Sequence, residues 1–145
     1  MSQKSILLVE DNPQDEMLIL RALRKVNLAN TIDVGRDGQQ ALDYLFGEGE
    51  FAARAGSPPP VVVMLDIGLP RLSGLEVLAR LRADPRTRTQ SVVILTSSDD
   101  ERDRLKGYDN GANSFVRKPI DFAEFSDTVA RLGVYWLATN IPPQG

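Results

Sequence analysis

The chain of 145 residues contains no cysteine and no histidine. Without cysteine there is no disulfide, no thiolate metal site and no thiol nucleophile. Without histidine, imidazole-based triads, imidazole zinc ligands and a phosphohistidine relay are excluded too. Acid, base and metal chemistry must rest mainly on Asp, Glu and Lys, and carboxylate ligands favour hard, oxygen-seeking cations. Long apolar runs are also missing, since none approaches the roughly 20 residues that span a bilayer. The apolar stretch behind Met1-Ser2-Gln3-Lys4 is too short for a signal peptide. A net charge of −3 gives no general reason to expect nucleic-acid or membrane binding. These absences leave a cytoplasmic, soluble globular protein as the expectation, and the length suits one domain with one substantial core.

What is present alternates regularly. Candidate strands are Ser5–Val9, Thr31–Val34, Val61–Leu65, Ser91–Leu95 and Asn113–Val116. The first, third and fourth are continuously apolar and rich in branched residues, as in a parallel sheet covered on both faces. Thr31–Val34 is more polar, which suits an edge strand. Helical segments between and after the strands open with cap signals: Asn12 before Pro13 with Asp15, Asp37 with Gln40, Ser73 with Glu76, Ser98 with Glu101, and Asp121 with Glu124. Inside them apolar residues recur at helical spacing, for example Leu75, Leu78 and Leu81, or Phe122, Phe125, Val129, Leu132 and Trp136. One cap match means little, but five in step with five strand–helix alternations predict a doubly wound (βα)5 sheet. Phe46–Pro60 is rich in Gly, Ala and Pro and reads as a surface loop, extended by Ser57-Pro58-Pro59-Pro60. The core is expected over residues 5–138, with a short tail at 139–145.

In such a sheet, ligands bind beyond the carboxyl ends of the strands at the point where strand order reverses. Glu10-Asp11 stands at the end of the first strand, Asp66 at the third, Thr96 at the fourth and Lys118-Pro119 just past the fifth. Taken singly, each has an ordinary explanation. Acids after strands commonly form turns or caps, a lone lysine is usually solvated, and a threonine can simply end a strand. Their joint placement changes the balance. Three converging carboxylates repel unless a cation neutralises them, and Mg²⁺ prefers oxygen ligands and retains several waters. A carboxylate can be a nucleophile toward phosphorus, and phosphoryl transfer needs mainly alignment and charge neutralisation.

The chain closely resembles the receiver domains of two-component response regulators. The stretches that carry the likeness are Ile6-Leu7-Leu8-Val9-Glu10-Asp11-Asn12, Val63-Met64-Leu65-Asp66-Ile67-Gly68-Leu69-Pro70 with Ser73-Gly74-Leu75-Glu76, Ile94-Leu95-Thr96-Ser97-Ser98, and Gly111-Ala112-Asn113-Ser114-Phe115-Val116-Arg117-Lys118-Pro119. The resemblance implies a single receiver domain over residues 1–145, with a flavodoxin-like fold of strand order 2-1-3-4-5. It implies Asp66 as phosphoacceptor, with Asp11, Asp66 and the Gly68 carbonyl holding Mg²⁺ (Mn²⁺ as a substitute) and Glu10 acting through a metal-bound water. It further implies that Thr96 hydrogen-bonds the phosphoryl group, that Lys118 forms an ion pair with it, and that Phe115 swings as Thr96 moves. The phosphoryl donor would be a sensor histidine kinase. The long Phe46–Pro60 loop, the Glu10-Asp11-Asn12-Pro13 start and Val134-Tyr135-Trp136-Leu137 look like regulators of phytochrome-type kinases.

Two departures stand out. Glu10 replaces a more frequent Asp, and Gly68 leaves a gap two residues beyond the acceptor, where phospho-Asp66 lifetime could be set. With no effector segment following, the output is expected to be a surface. A homodimer through the 113–137 region, using the late cluster Tyr135, Trp136 and Leu137, is the expectation. The chain would promote only its own phosphotransfer and dephosphorylation, so it is not expected to be a turnover enzyme. The competing readings are a degenerate receiver acting as a constitutive interaction module, an aspartyl-nucleophile phosphatase, and a flavin-binding analogue. Gly68 stands where such a phosphatase carries a second Asp, and no phosphate loop follows the first strand as a flavin protein would need.

Overall fold

The computed structural model describes residues 4–26, 31–96, 108–117 and 122–141. Its strands are β1 (Ser5–Val9), β2 (Thr31–Gly35), β3 (Val62–Asp66), β4 (Val92–Thr96) and β5 (Ser114–Arg117). The described α-helices are α1 (Pro13–Val26), α2 (Gly38–Phe46), α3 (Gly74–Ala83) and α4 (Phe122–Val134). The strands form one parallel sheet in the order β2-β1-β3-β4-β5, the flavodoxin-like arrangement. The segment opening at Ser98, and the cap expected at Asp121, lie outside the described residues.

The continuous apolar runs are explained by burial on both faces. Alternate side chains of one strand enter different layers. Ile6, Leu8, Val62, Met64, Val93 and Leu95 join a core that includes Ile19 and Leu23 of α1 and Phe125 and Val129 of α4. Leu7, Val9, Val63, Leu65, Val92 and Ile94 join the other core, with Leu42 of α2 and Val77, Leu78 and Leu81 of α3. Each fully buried aliphatic side chain contributes about 1.5–3 kcal/mol relative to exposure. The edge position of β2 agrees with its four half-buried residues, Thr31 to Val34.

Strands β3, β4 and β5 each lie one residue later than hydrophobicity places them. The reason is that ladder bonds, not apolarity, define the strand: Asp66 pairs with Leu95, and Thr96 with Arg117. Asp66 and Thr96 are therefore the last residues of their strands and inherit sheet rigidity. The caps form as the spacing predicts. Asn12 Oδ1 accepts from the Gln14 and Asp15 amides at 2.9 and 3.1 Å, Asp37 Oδ1 accepts from Gln40 N at 2.8 Å, and Ser73 and Glu76 form a reciprocal capping box.

Two expectations are corrected. Phe46–Pro60 is not simply an extended surface loop, because Gly49–Arg54 forms a 3-10 helix. Phe51 lies edge-on to the buried Tyr44 ring at 5.3 Å, and the Arg54 guanidinium stacks on that ring at 3.5 Å, so contacts with one ring hold a segment that has no buried residue of its own. Tyr44 itself donates to Asp33 at 2.6 Å, and burial, ahead of that bond, pushes its pKa up to about 12. The second correction concerns the late aromatic cluster. Trp136 and Leu137 are only 6% and 2% exposed and belong to the α1–α4 core. Residues Tyr135–Thr139 wind as a π-helix, and Trp136 and Leu137, seven and eight residues after Val129, continue its core-facing stripe. Val134 and Tyr135 stay on the surface at 43% and 47% exposure.

Candidate functional site: an acidic cluster at the strand-order switch

Strand order reverses between β1 and β3, which are neighbours in the sheet although 52 residues of chain separate Val9 from Val62. Val9 is in register with Leu65, so the residues just past them, Glu10 and Asp66, emerge side by side. Glu10, Asp11 and Asp66 each offer a carboxylate oxygen, and all three oxygens lie within 4.8 Å of one another. Glu10 is buried, Asp66 half-buried and Asp11 exposed. At an effective dielectric of about 20, two like charges at that separation repel by roughly 3.5 kcal/mol. Solvent around Asp11 reduces its share. The arrangement favours a multivalent cation, and all its side-chain donors are hard oxygens. That donor set fits Mg²⁺ or Mn²⁺ and not a thiophilic metal.

Local structure fixes the three acids differently. The Glu10 amide donates to Gly35 O at 3.0 Å, prolonging the β1–β2 ladder, while its Oε2 accepts from Asn12 N at 3.3 Å. Asp11 sits just ahead of Asn12, the residue that caps α1. Asp66 Oδ1 accepts from Gly68 N at 3.2 Å, which turns the chain sharply after β3. Gly74 completes this turn, its amide donating to Ile67 O at 3.0 Å. A Cβ on Gly74 would lie 2.4 Å from Asp66 O, so only glycine lets α3 start this close to the acceptor strand. At Gly68 the opposite holds: the nearest atom to an added Cβ would be Asp66 Oδ1 at 4.0 Å.

Thr96 ends β4, next to β3 in the sheet, and is 1% exposed. Phe115 on β5 is half-buried against the α2–α3 core, with its ring 6.1 Å from that of Tyr108. Lys118 lies outside the described residues; it directly follows Arg117, the partner of Thr96. Cavities of about 450 and 320 Å³ lie on α1 and beside Phe46–Pro60, and neither is lined by the acidic cluster.

Some residues around the site carried no sequence signal. Arg36 makes a two-bond pair with Glu16, at 3.1 Å each, and Arg71 reaches Asp37 at 3.5 Å, so two ion pairs rim the strand ends. Arg71 has φ +68°, an unusual left-handed conformation for a non-glycine residue. Arg82 of α3 is half-buried, and its guanidinium bonds the Gly111 and Thr87 carbonyls and the Asn113 amide oxygen. An arginine on a helix ordinarily reads as solvated, which is why pattern alone passes it over.

A five-stranded parallel sheet with three carboxylates at its switch point is a doubly wound α/β domain whose ligand site lies beyond the strand ends. The response regulator receiver domain family matches residues 6–130, and the chain belongs to that family. It functions in phosphorelay signal transduction. The chain is 40% identical over 139 residues to the probable methanogenesis regulatory protein FilR2 of Methanothrix harundinacea, covering 95% of this chain and 86% of that protein. Among solved structures it is similar to the phosphorylated cyanobacterial phytochrome response regulator RcpA, at TM-score 0.90 and 34% identity, over 98% of this chain and 99% of that one. The Mn²⁺-bound form of response regulator Rcp1 gives TM-score 0.88 and 32% identity, over 97% and 99% of the two chains; Rcp1 is from Synechocystis sp.. No helix among the described residues is long and apolar enough to cross a membrane.

Proposed function

We propose that Asp66 is the phosphoacceptor of this receiver and that Glu10, Asp11 and Asp66 form its divalent-cation site. The observation that carries the reading is the meeting of three carboxylates within 4.8 Å at the end of β1 and β3. An Asp66 carboxylate oxygen forms the new P–O bond as the P–N bond to the kinase imidazole breaks, and the imidazole leaves with a proton. Mg²⁺, with Mn²⁺ as a substitute, would be held by Asp11, Asp66 and the Gly68 carbonyl, with Glu10 acting through water, and supplies charge neutralisation at the phosphoryl oxygens. Thr96 donates a hydrogen bond to the phosphoryl group and Lys118 pairs with it. Phe115 then follows Thr96, which shifts a pre-existing equilibrium rather than creating a new state. Incubation with acetyl phosphate and Mg²⁺, followed by intact-mass measurement, tests this. One added phosphoryl group is expected, lost when EDTA replaces Mg²⁺; a metal-independent gain overturns the reading.

The donor is a sensor histidine kinase of phytochrome type, a reading supported by similarity to RcpA over nearly the full length of both chains. Gly68 sets the lifetime of the phosphorylated state. Among the described residues the nearest atom to a Cβ there is Asp66 Oδ1 at 4.0 Å, so Gly68→Asn starts without a backbone clash and alters water access to the phosphorus. A several-fold change in dephosphorylation rate is expected, and equal rates would sink the idea. Gly68 also stands where a phosphoester hydrolase would carry a second acid, so external phosphoesters are not turned over.

The output surface is a homodimer contact in the 113–137 region. Burial of Trp136 and Leu137 moves its apolar centre to Val134 and Tyr135, the large hydrophobic residues of that region that are exposed. Sedimentation should show a dimer that Tyr135→Lys dissociates. A native protein that sediments as a monomer, with and without phosphate on Asp66, contradicts it.

A further inference from the structure

β5 has less to fix its register than any other described strand. It has four residues, lies at an edge of the sheet and pairs only with β4, from Val93–Ser114 to Thr96–Arg117. Phe115 packs toward the α2–α3 layer and Val116 toward the α1–α4 layer. A slip of one residue would exchange them.

Side-chain bonds at the strand's entry resist such a slip. Asn113 N donates to Val92 O at 2.9 Å, and Asn113 Oδ1 accepts from Val92 N at 2.8 Å, so one residue closes both sides of an extra rung below the ladder. Arg82 Nη2 reaches the same Oδ1 at 3.3 Å and orients it. Arg82 Nε and Nη2 also converge on Gly111 O at 3.0 and 2.7 Å, and Asn110 Nδ2 reaches Leu75 O at 3.4 Å, so the turn into β5 is stitched along α3. Gly111 makes room for this. Its φ is +94°, and a Cβ would lie 2.7 Å from Arg82 Nε.

The chemistry of Arg82 argues for a specific task. Among the described residues its hydrogen-bond partners are carbonyl and amide oxygens, with no carboxylate in reach. Burial works against its charge and lowers its pKa. A half-buried guanidinium on neutral acceptors is a costly way to stabilise a helix but a good way to fix a backbone, because its planar fork is rigid.

We propose that Arg82 is a positioning residue for the phosphorylation switch, locking the register of β5 on β4 through Gly111 and Asn113 and so holding Phe115 on the α3 side. The proposal rests on the reading of Asp66 and Phe115 above. β5 ends at Arg117, the residue before Lys118 in the sequence.

The test compares Arg82→Gln, Arg82→Lys, Gly111→Ala and Asn113→Asp with the native protein. Amide hydrogen exchange at Phe115 and Val116 should quicken about ten-fold in Arg82→Gln, the effect of losing one charge-assisted hydrogen bond, while β1 exchange is unchanged. The maximal rate of phosphorylation by acetyl phosphate should fall with it, whereas Mg²⁺ affinity stays native because the carboxylates sit at the ends of β1 and β3. Asn113→Asp keeps the acceptor for Val92 and for Arg82 and should retain native exchange and rate. Gly111→Ala should also quicken β5 exchange, since φ +94° strains any side chain there and its Cβ displaces the guanidinium. Arg82→Lys, which keeps the charge but loses the planar fork, should reproduce Arg82→Gln and decides the matter if that variant does not fold. Equal quickening in β1 and β5, or a lost Mg²⁺ affinity with native β5 exchange, overturns the proposal. Failure of the native protein to take up phosphate would sink the Asp66 reading, while the β5 exchange result would still decide the register lock.

Discussion

Asp66→Asn will take up no phosphoryl group from acetyl phosphate in Mg²⁺, under conditions where the native protein gains one. The substitution preserves shape. The Asn side chain retains a carbonyl oxygen that can accept the Gly68 amide bond, now 3.2 Å long, so the turn after β3 should persist. What disappears is the anionic oxygen that attacks phosphorus, since an amide oxygen is a poor nucleophile. Divalent-cation affinity falls as well, because two carboxylates of the cluster remain where there were three. A calorimetric Mg²⁺ titration and an intact-mass spectrum together check both parts. A phosphoryl mass on the variant would move the acceptor away from Asp66. Unchanged Mg²⁺ affinity would remove Asp66 from the metal site while leaving it as the acceptor.

Gly74→Ala should destabilise the protein by about 2 kcal/mol, against the helix-propensity trend. Replacing glycine by alanine inside a helix normally stabilises by up to about 1 kcal/mol. Here the new Cβ would lie 2.4 Å from Asp66 O and 2.8 Å from Ile67 Cα, and both are backbone atoms that cannot rotate aside. Either α3 withdraws from the end of β3 or the end of β3 bends. In both cases Asp66 moves relative to Glu10 and Asp11, so Mg²⁺ affinity should drop together with the melting temperature. Gly68→Ala is the control for stability, because its Cβ finds no atom closer than 4.0 Å among the described residues and its stability should stay within about 0.5 kcal/mol of native. A Gly74→Ala protein as stable as native would show that the close approach of α3 has slack.

The two substitutions also mark what was legible in the sequence. Asp66 is readable because an acid ending a five-residue apolar run, in a chain with no histidine or cysteine, has few ordinary explanations. The role of Gly74 is not, since a glycine after a cap residue fits many helix starts, and only the distance to Asp66 O shows why a side chain is excluded. The final aromatic cluster misleads for a related reason. Trp136 and Leu137 fall seven and eight residues after Val129, on the core-facing stripe, but their late place in the chain suggests a helix end beyond the domain, and only the packing against α1 shows that the core reaches that far.

Phe115 is marked only by the family resemblance, whereas residue order alone carries the alternation of strands and helices, the two-faced burial of the central strands, the caps at Asn12, Asp37 and Ser73, and the set Glu10, Asp11, Asp66, Thr96 and Lys118 at the strand ends. These depend on local spacing and residue chemistry, which can be read directly along the chain. Folding supplies what depends on distance between remote segments: the 4.8 Å meeting of three carboxylates, the approach of Gly74 to Asp66, and the bonds from Arg82 to Gly111 and Asn113 that set β5. None of these has a periodic signature. A contact between remote positions leaves no mark on the residues between them, and becomes visible only when the sheet brings the strand ends together.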